Sequence, residues 1–357
     1  MARFEGRGYG SFRSPARFLF FAAAGLRPIA AVVLLLALAG YASAQDENVH
    51  IQPREKAPPA DTSKEVKVNA DLPPGVSRRE PGIIRQVDYV LVNVTVTDDW
   101  NRIVTGLEKD NFAVLEGNQL QVVQNFSSED APISLGVIFD MSGSMSDKIE
   151  KAREAVVEFF KTANPQDEFF MITFSDRPQL VADFTRSIED VQGKLVFTVP
   201  QGRTALLDAI YMGLSKMKDA HNSKKALLVI SDGGDNHSRY TENEIKSTVK
   251  EADVQIYAIG IFTPNPAQPE EAAGPALLGD VTEVTGGRLF TINNPNELAD
   301  VATKIGIELR NQYVLAYRPT NKTRDGRWRK IKVKLNAPKG LPHLNLYFKT
   351  GYYAPAQ

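Results

Sequence analysis

Two aspartates, two serines and a threonine sit where apolar runs of this chain stop. Asp140-Met141-Ser142-Gly143-Ser144 follows the run Ile133 to Phe139. Asp232 closes a second run, Ala226 to Ser231, and Thr204 lies in Gly202-Arg203-Thr204-Ala205-Leu206-Leu207-Asp208. Two carboxylates and three hydroxyls form an all-oxygen ligand set, which suits a hard cation: Mg²⁺, with Mn²⁺ or Ca²⁺ as alternatives. Mg²⁺ takes six oxygens, so these residues leave at least one exchangeable position. Only Asp140 and Asp232 carry charge, so a bound dication is not over-neutralised and can attract an outside carboxylate. That chemistry is binding of an acidic group, not catalysis.

The set works only if the fold brings three separated loops together. From 133 to 309 strand patterns alternate with helix patterns. Strands are expected at 134–139, 168–174, 178–182, 225–231, 254–261 and 287–291, and helices at 147–163, 204–218, 241–252, 275–285 and 295–309. Alternation at this spacing predicts an α/β fold with a mostly parallel central sheet. Runs such as Leu227 to Ile230 fit strands covered on both faces. Doubly wound sheets bind ligands beyond the carboxyl ends of their strands, where Asp140 and Asp232 lie. Gly143 relaxes the turn that must bring Ser142 and Ser144 back to one point. Thr204 opens a predicted helix, whose N-terminus favours a nearby anion.

Asp140-x-Ser142-x-Ser144, Thr204 and Asp232 together resemble the metal-ion-dependent adhesion site of von Willebrand factor type A domains, with all five positions matching. The resemblance covers roughly 133–309 and implies a Rossmann-like domain. It also implies that Ser142 and Ser144 ligate directly, Thr204 directly or through water, and Asp140 and Asp232 often through water. The expected partner is a protein presenting an Asp or Glu carboxylate. Looser matches at Val94-x-Val96-Thr97-Asp98, Gly106-Leu107-x-x-Asp110-Asn111-Phe112, Gln121-x-Val123-x-x-Phe126, Arg310-Asn311-Gln312-Tyr313 and Gly351-Tyr352-Tyr353-Ala354-Pro355 resemble the flanks of bacterial exported proteins carrying such a domain.

The flanks read as β. Val90, Val92, Val94 and Val96 alternate with Leu91, Asn93 and Thr95, and Lys330 to Leu335 alternates strictly. Glu116-Gly117-Asn118 punctuates a hairpin between Phe112–Leu115 and Leu120–Val123. Two short β blocks, 83–128 and 310–357, are too small for separate stable sheets. The expectation is one β-sandwich built from both, with the α/β domain inserted between them. Ahead of this, 1–44 has an Arg-rich lead, an apolar core and Ala42-Ser43-Ala44, and reads as an export signal. The alternative is an uncleaved membrane anchor. Residues 45–82 are rich in Pro and charge and read as a disordered linker.

The chain has no Cys, a net charge of −1 and four scattered His. That excludes a disulfide scaffold and a thiolate zinc site, and gives no electrostatic footprint for nucleic acid. No phosphate-binding loop, nucleophile elbow or His-Glu-x-x-His stands in the sequence. An exported location and a non-enzymatic role follow. Two other functions compete: a scaffold that does not use metal, and a Mg²⁺-dependent phosphohydrolase of the haloacid dehalogenase type. The last would need a carboxylate two residues after Asp140, where Ser142 stands.

Individual residues have plainer readings too. Asp140 and Asp232 suit caps, Thr204 suits a helix N-cap, and Asp235 suits a turn. Asp208 is either a support for the site or part of a solvated helix face. Met141 and Met145 either pack under the loop or grip a partner. Trp100 and Trp328 are expected in the β core.

Overall fold

The computed structural model describes residues 49–54, 89–195, 199–263, 266 and 269–356. The 1–44 segment and nearly all of the 45–82 stretch lie outside the described residues. Among the described residues no helix is long and apolar enough to cross a membrane.

The α/β unit is built on one six-stranded sheet. Its central strands are β5 (Ile133–Asp140), β6 (Glu168–Phe174), β8 (Lys224–Ser231) and β9 (Gln255–Ile261), and every residue in them but Lys225 is buried. No alternation survives because both faces are covered. Short β10 (Leu289–Ile292) and the half-exposed β7 (Pro178–Thr185) close the edges, and β7 is antiparallel. The spatial order is β10-β9-β8-β5-β6-β7.

Helices α1 (Ile149–Phe160), α2 (Ile188–Leu195) and α6 (Leu298–Arg310) pack on one face. Helices α3 (Leu206–Lys216), α4 (Glu242–Glu251) and α5 (Pro269–Thr285) pack on the other. In α1 the buried residues are Ile149, Ala152, Ala155, Val156, Phe159 and Phe160, the three-and-four spacing of a single apolar stripe. Thr241 starts α4 with a capping box closed by Glu244.

The remaining strands form two four-stranded sheets facing each other. One runs β13 (Leu344–Phe348), β1 (Val90–Asp98), β11 (Tyr313–Tyr317), β4 (Val123–Ser127). The other runs β14 (Gly351–Tyr353), β12 (Trp328–Leu335), β2 (Phe112–Glu116), β3 (Gln119–Gln121). Strand β1 pairs with β11 on one side and β13 on the other, so Val94 sits between Tyr313 and Phe348. Both ends of the chain therefore share one sandwich core, with Val92, Val114, Leu315 and Val333 inside. Tyr313 and Tyr317 stay buried because their hydroxyls donate to the Val104 carbonyl (3.0 Å) and to Glu116 (3.1 Å).

Strand β1 alternates only in its first half. Thr95 and Thr97 are buried because the α/β unit covers that face. There Gln312 donates to Thr95 Oγ1 and Tyr257 OH, both at 3.2 Å. A second tie is made at Asp167. It accepts the Ile133 N–H at 2.9 Å, where the chain enters the α/β unit, and pairs with Arg310, where the chain leaves it. Arg288 completes the junction: it pairs with Glu308, donates to Asn101 at 2.6 Å and lies over the Tyr347 ring at 4.1 Å.

Several expectations are corrected. Trp100 is 70% exposed and covered only by Arg102, 5.0 Å from its ring, so it is no core residue. Trp328 is half-buried against Tyr353. Helix α5 begins at Pro269 rather than 275. Pro269 is tolerated at the first position because that N–H needs no intrahelical partner, and Pro275 sits inside the helix. Helix α2 was not expected. It buries Val191 and Leu195, and Ser187 Oγ accepts the Asp190 N–H at its start. The stretch 120–123 is not one strand: the chain passes from one sheet to the other at the exposed Val122. Within the stretch read as a linker, 49–54 lies against the sandwich. His50 bridges Thr105, and Arg54 N–H donates to Asn311 at 2.6 Å.

Two outcomes follow from this packing. Truncation after Asn311 removes both neighbours of β1, so hydrogen-exchange protection of Val92–Val96 should be lost; retained protection would refute the shared core. Burial, opposed by Arg288, raises the Glu308 carboxyl to about 7 from 4.5. A raised carboxyl binds its proton more tightly in the folded state. Its stabilisation is thus full below pH 4.5 and is lost as pH rises to 7. Urea unfolding of wild type across that window should show this loss, and Glu308→Gln should reduce it, the remainder coming from the Asp140 carboxyl, which burial raises over the same range.

Candidate functional site

The chain leaves β5 for β6 on one side, then returns to place β8 on the other. The crevice created by this reversal opens between the carboxyl ends of β5 and β8, which pair in parallel with Phe139 opposite Ile230. Asp140 ends β5 and Asp232 immediately follows β8, so the register delivers both carboxylates to the same opening.

Asp140 is fully buried. One oxygen accepts the Ser142 N–H at 2.8 Å and the other accepts the Ser231 hydroxyl at 2.6 Å. Ser231 in turn accepts the Gly233 N–H at 3.0 Å, tying the loop after β8 to the loop after β5. Ser142 and Ser144 hydroxyls share a 3.1 Å hydrogen bond across a single 3₁₀ turn, Gly143–Met145. Met141 and Met145 are buried beneath that turn, which answers the packing-or-gripping alternative in favour of packing.

The Thr204 loop is laced to both neighbours through backbone groups. Gly143 N–H donates to Gly202 O at 3.1 Å, and Gln201 N–H to Met141 O at 2.9 Å. Gly202 has a φ of 85°, and a Cβ there would lie 2.9 Å from Asp176 Oδ2, so the turn requires glycine. Thr204 N–H donates to Asn236 Oδ1 at 3.0 Å, and the Asn236 and His237 N–H groups return to Thr204 O at 3.1 Å each. Thr204 does not cap α3. Asp235 does, accepting the Leu207 N–H at 2.9 Å, while Ser238 Oγ accepts the Asp208 N–H at 3.1 Å. Asp208 is no solvated residue: it is buried and accepts the Arg239 and Tyr240 N–H groups.

Asp140, Ser142, Ser144 and Asp232 are thus brought together, and Thr204 lies in the adjoining loop. Residues Ser144, Asp147, Lys148, Asp232, Thr263 and Glu271 line an opening of about 190 Å³. Lys148 Nζ stands 3.5 Å from Asp232 Oδ2. Lys148, Ser231, Asn236, Ser238 and Glu271 were not anticipated as part of this site. Asn236 and Ser238 belong to a visible turn cluster, but nothing in the spacing singles out Lys148 or Glu271.

Electrostatically the crevice is acidic and buried. The Asp140 carboxyl is pushed up, first by burial and then by the charge of Asp232. Two neighbouring carboxylates beside hydroxyl oxygens fit a hard dication. They are also partly neutralised by Lys148. Among the described residues no three His, Cys, Asp or Glu side chains are grouped so as to hold a metal ion.

Comparison with known proteins bears on the fold of the α/β unit. Residues 135–234 match the family model of the von Willebrand factor type A domain. Inter-alpha-trypsin inhibitor heavy chain H4 of Sus scrofa is 25% identical over 205 residues, covering 54% of this chain and 22% of that protein. The chain thus spans about a fifth of the length of that curated relative. Among solved structures, a von Willebrand factor type A protein from Catenulispora acidiphila aligns with a TM-score of 0.45 at 14% identity, covering 75% of this chain and 63% of that one. Proximal thread matrix protein 1 from the mussel byssus, solved with a zinc-occupied metal-ion-dependent adhesion motif, aligns with a TM-score of 0.43 at 18% identity, covering 54% and 49%. With the β5–β8 reversal and the family match in hand, the α/β unit of this chain has the von Willebrand factor type A domain fold.

Proposed function

We propose that the chain is an exported, non-catalytic interaction module whose working surface is the crevice at the carboxyl edge of the β5–β8 pair. The observation that carries this reading is the meeting of Asp140, Ser142, Ser144 and Asp232 in one buried crevice, with the Thr204 loop bonded to both sides of it. The Arg-rich, apolar leader in the sequence supports export. Asp140 is a poor nucleophile here, since both its oxygens accept hydrogen bonds and it is fully buried. That disfavours phosphohydrolase chemistry.

The crevice can work in two ways. In the first, Asp140, Ser142, Ser144, Thr204 and Asp232 hold Mg²⁺ or a similar dication, which bridges to an Asp or Glu of a protein partner. The cation would supply the positive charge, and the chain's own residues would orient it and leave a position open. In the second, the module is a scaffold that uses no metal, and Lys148 supplies the charge that balances Asp232. The contacts favour this second mode more directly, because the Lys148–Asp232 pair is already made and, among the described residues, no three His, Cys, Asp or Glu side chains are grouped so as to hold a metal ion. The ligand chemistry of the five residues favours the first.

Thermal unfolding separates them. If metal binds and is free at ten times its dissociation constant, linkage adds about 1.4 kcal/mol, or about 3–5 °C. Asp232→Ala should abolish that shift, and Lys148→Met should enlarge it by removing a competing cation. In the metal-free mode Mg²⁺, Mn²⁺ and Ca²⁺ leave the wild-type midpoint unmoved. Lys148→Met then costs about 1–3 kcal/mol by stranding a buried carboxylate.

A further inference from the structure

A second feature lies beside the crevice and shares its loops. Asp176, Arg177 and Pro178 after β6, Asp208, Tyr211 and Met212 on α3, and His237, Arg239 and Tyr240 after β8 form the main walls of an open groove of about 670 Å³. It begins where the five-residue site ends, because Arg203 directly precedes Thr204 and donates to His237 Nδ1 at 3.3 Å.

The charge of this groove is cationic where it meets solvent. Asp208 is buried, and its oxygens take the Arg239 and Tyr240 N–H groups and Arg239 Nε. Asp176 accepts the Arg203 N–H at 2.8 Å. Asp176 stays exposed, one solvent-facing carboxylate against the exposed Arg177, Arg203 and Arg239. The Arg239 side chain is 85% exposed and, among the described residues, uses only Nε on Asp208, at 3.2 Å, which leaves its two terminal nitrogens as a fork toward solvent. Arg177 is exposed and makes no side-chain hydrogen bond or ion pair among the described residues. A guanidinium always donates, so His237 Nδ1 accepts from Arg203 and adds no proton of its own there. The aromatic part of the lining is Tyr211 and Tyr240, whose rings stack with centroids 4.1 Å apart at 25°. Planar guanidinium forks sharing a groove with an aromatic pair match a run of carboxylates on an extended chain.

We propose that this groove binds an acidic extended segment of a protein partner, running on from the carboxylate held at the crevice. This rests on the reading of the crevice as the interaction site. It adds that recognition extends through Arg177, Arg239 and the Tyr211–Tyr240 pair, and that the partner is acidic over several residues rather than at one.

The test is fluorescence anisotropy with the whole chain and fluorescein-labelled deca-glutamate, with deca-glutamine and a labelled decathymidylate as controls. Binding of deca-glutamate alone, weakened about tenfold or more in Arg177→Glu and in Tyr211→Ala, supports the groove. Arg177→Glu should keep the wild-type unfolding midpoint, and Tyr211→Ala should keep the wild-type circular dichroism spectrum at the assay temperature. If both bind as wild type does while Asp232→Ala or a chelator abolishes binding, the groove is overturned and the crevice reading survives. If Arg177→Glu loses binding while Asp232→Ala and chelated wild type retain it, the groove stands and the crevice reading falls. Failure of wild type to bind deca-glutamate overturns the groove, as does equal binding of decathymidylate, which would mark unselective attraction for polyanions.

Discussion

The pairing of β5 with β8 is the constraint on which the working face depends. Parallel strands that end level with each other, Phe139 beside Ile230, set Asp140 and Asp232 at one opening. Both faces of each strand are covered, so a one-residue slip would carry every side chain into the opposite packed layer, where its shape does not fit. Register is therefore held by the core, and the site inherits its geometry from the core. Gly136, mid-strand, shows how tight this is: a Cβ there would run into the Phe170 ring and lie 2.6 Å from Leu227. The carboxylates are costly to bury, and the hydroxyl and amide donors of Ser142 and Ser231 offset part of that cost.

The sandwich acts as a base for this unit. The chain crosses into the α/β unit once and out once, and both crossings meet at Asp167, through Ile133 N–H and Arg310. The Thr95, Tyr257 and Gln312 network adds a buried polar seam between the layers. Buried polar groups that find partners fix one arrangement of two surfaces, because any other arrangement leaves them unpaired. Lys224 belongs to the same seam: buried fully, it donates to Leu309 O, and burial pulls its ammonium down to about 7. The carboxyl edge, by contrast, is built of loops held by backbone bonds among residues 141–145, 201–205 and 232–240.

Much of this architecture was readable from the residues. Runs such as Ile133–Phe139 and Leu227–Ile230 lack any period, which marks strands covered on both sides, and all lie in the central sheet. The Val90–Val96 alternation marks a strand with one core face. Reading failed where tertiary contacts override local signals. Trp100 is apolar by composition yet lies in the open, because Arg102 covers its ring and the turn at Asp98 points it away from the core. The early start of α5 was hidden by a dense run of prolines. There Gly233 and Gly274 touch, with a Cβ on Gly233 falling 2.9 Å from the Gly274 backbone, a packing reason invisible along the chain.

Residue types and their spacing determined which atoms this protein can offer: carboxylates after two buried strands, hydroxyls two and four residues beyond the first, and a threonine at the mouth of a helix. Those are properties of side chains and of the period of a strand, so they are written locally. Only the folded chain decided what stands among them. Lys148 comes to Asp232, Asn236 and Asp235 hold the Thr204 loop and the start of α3, and Arg177 joins Arg239 and the tyrosine pair in one groove. These partners are separated in sequence and meet because the sheet reverses between β5 and β8, and no local pattern records where a reversal will set one loop beside another.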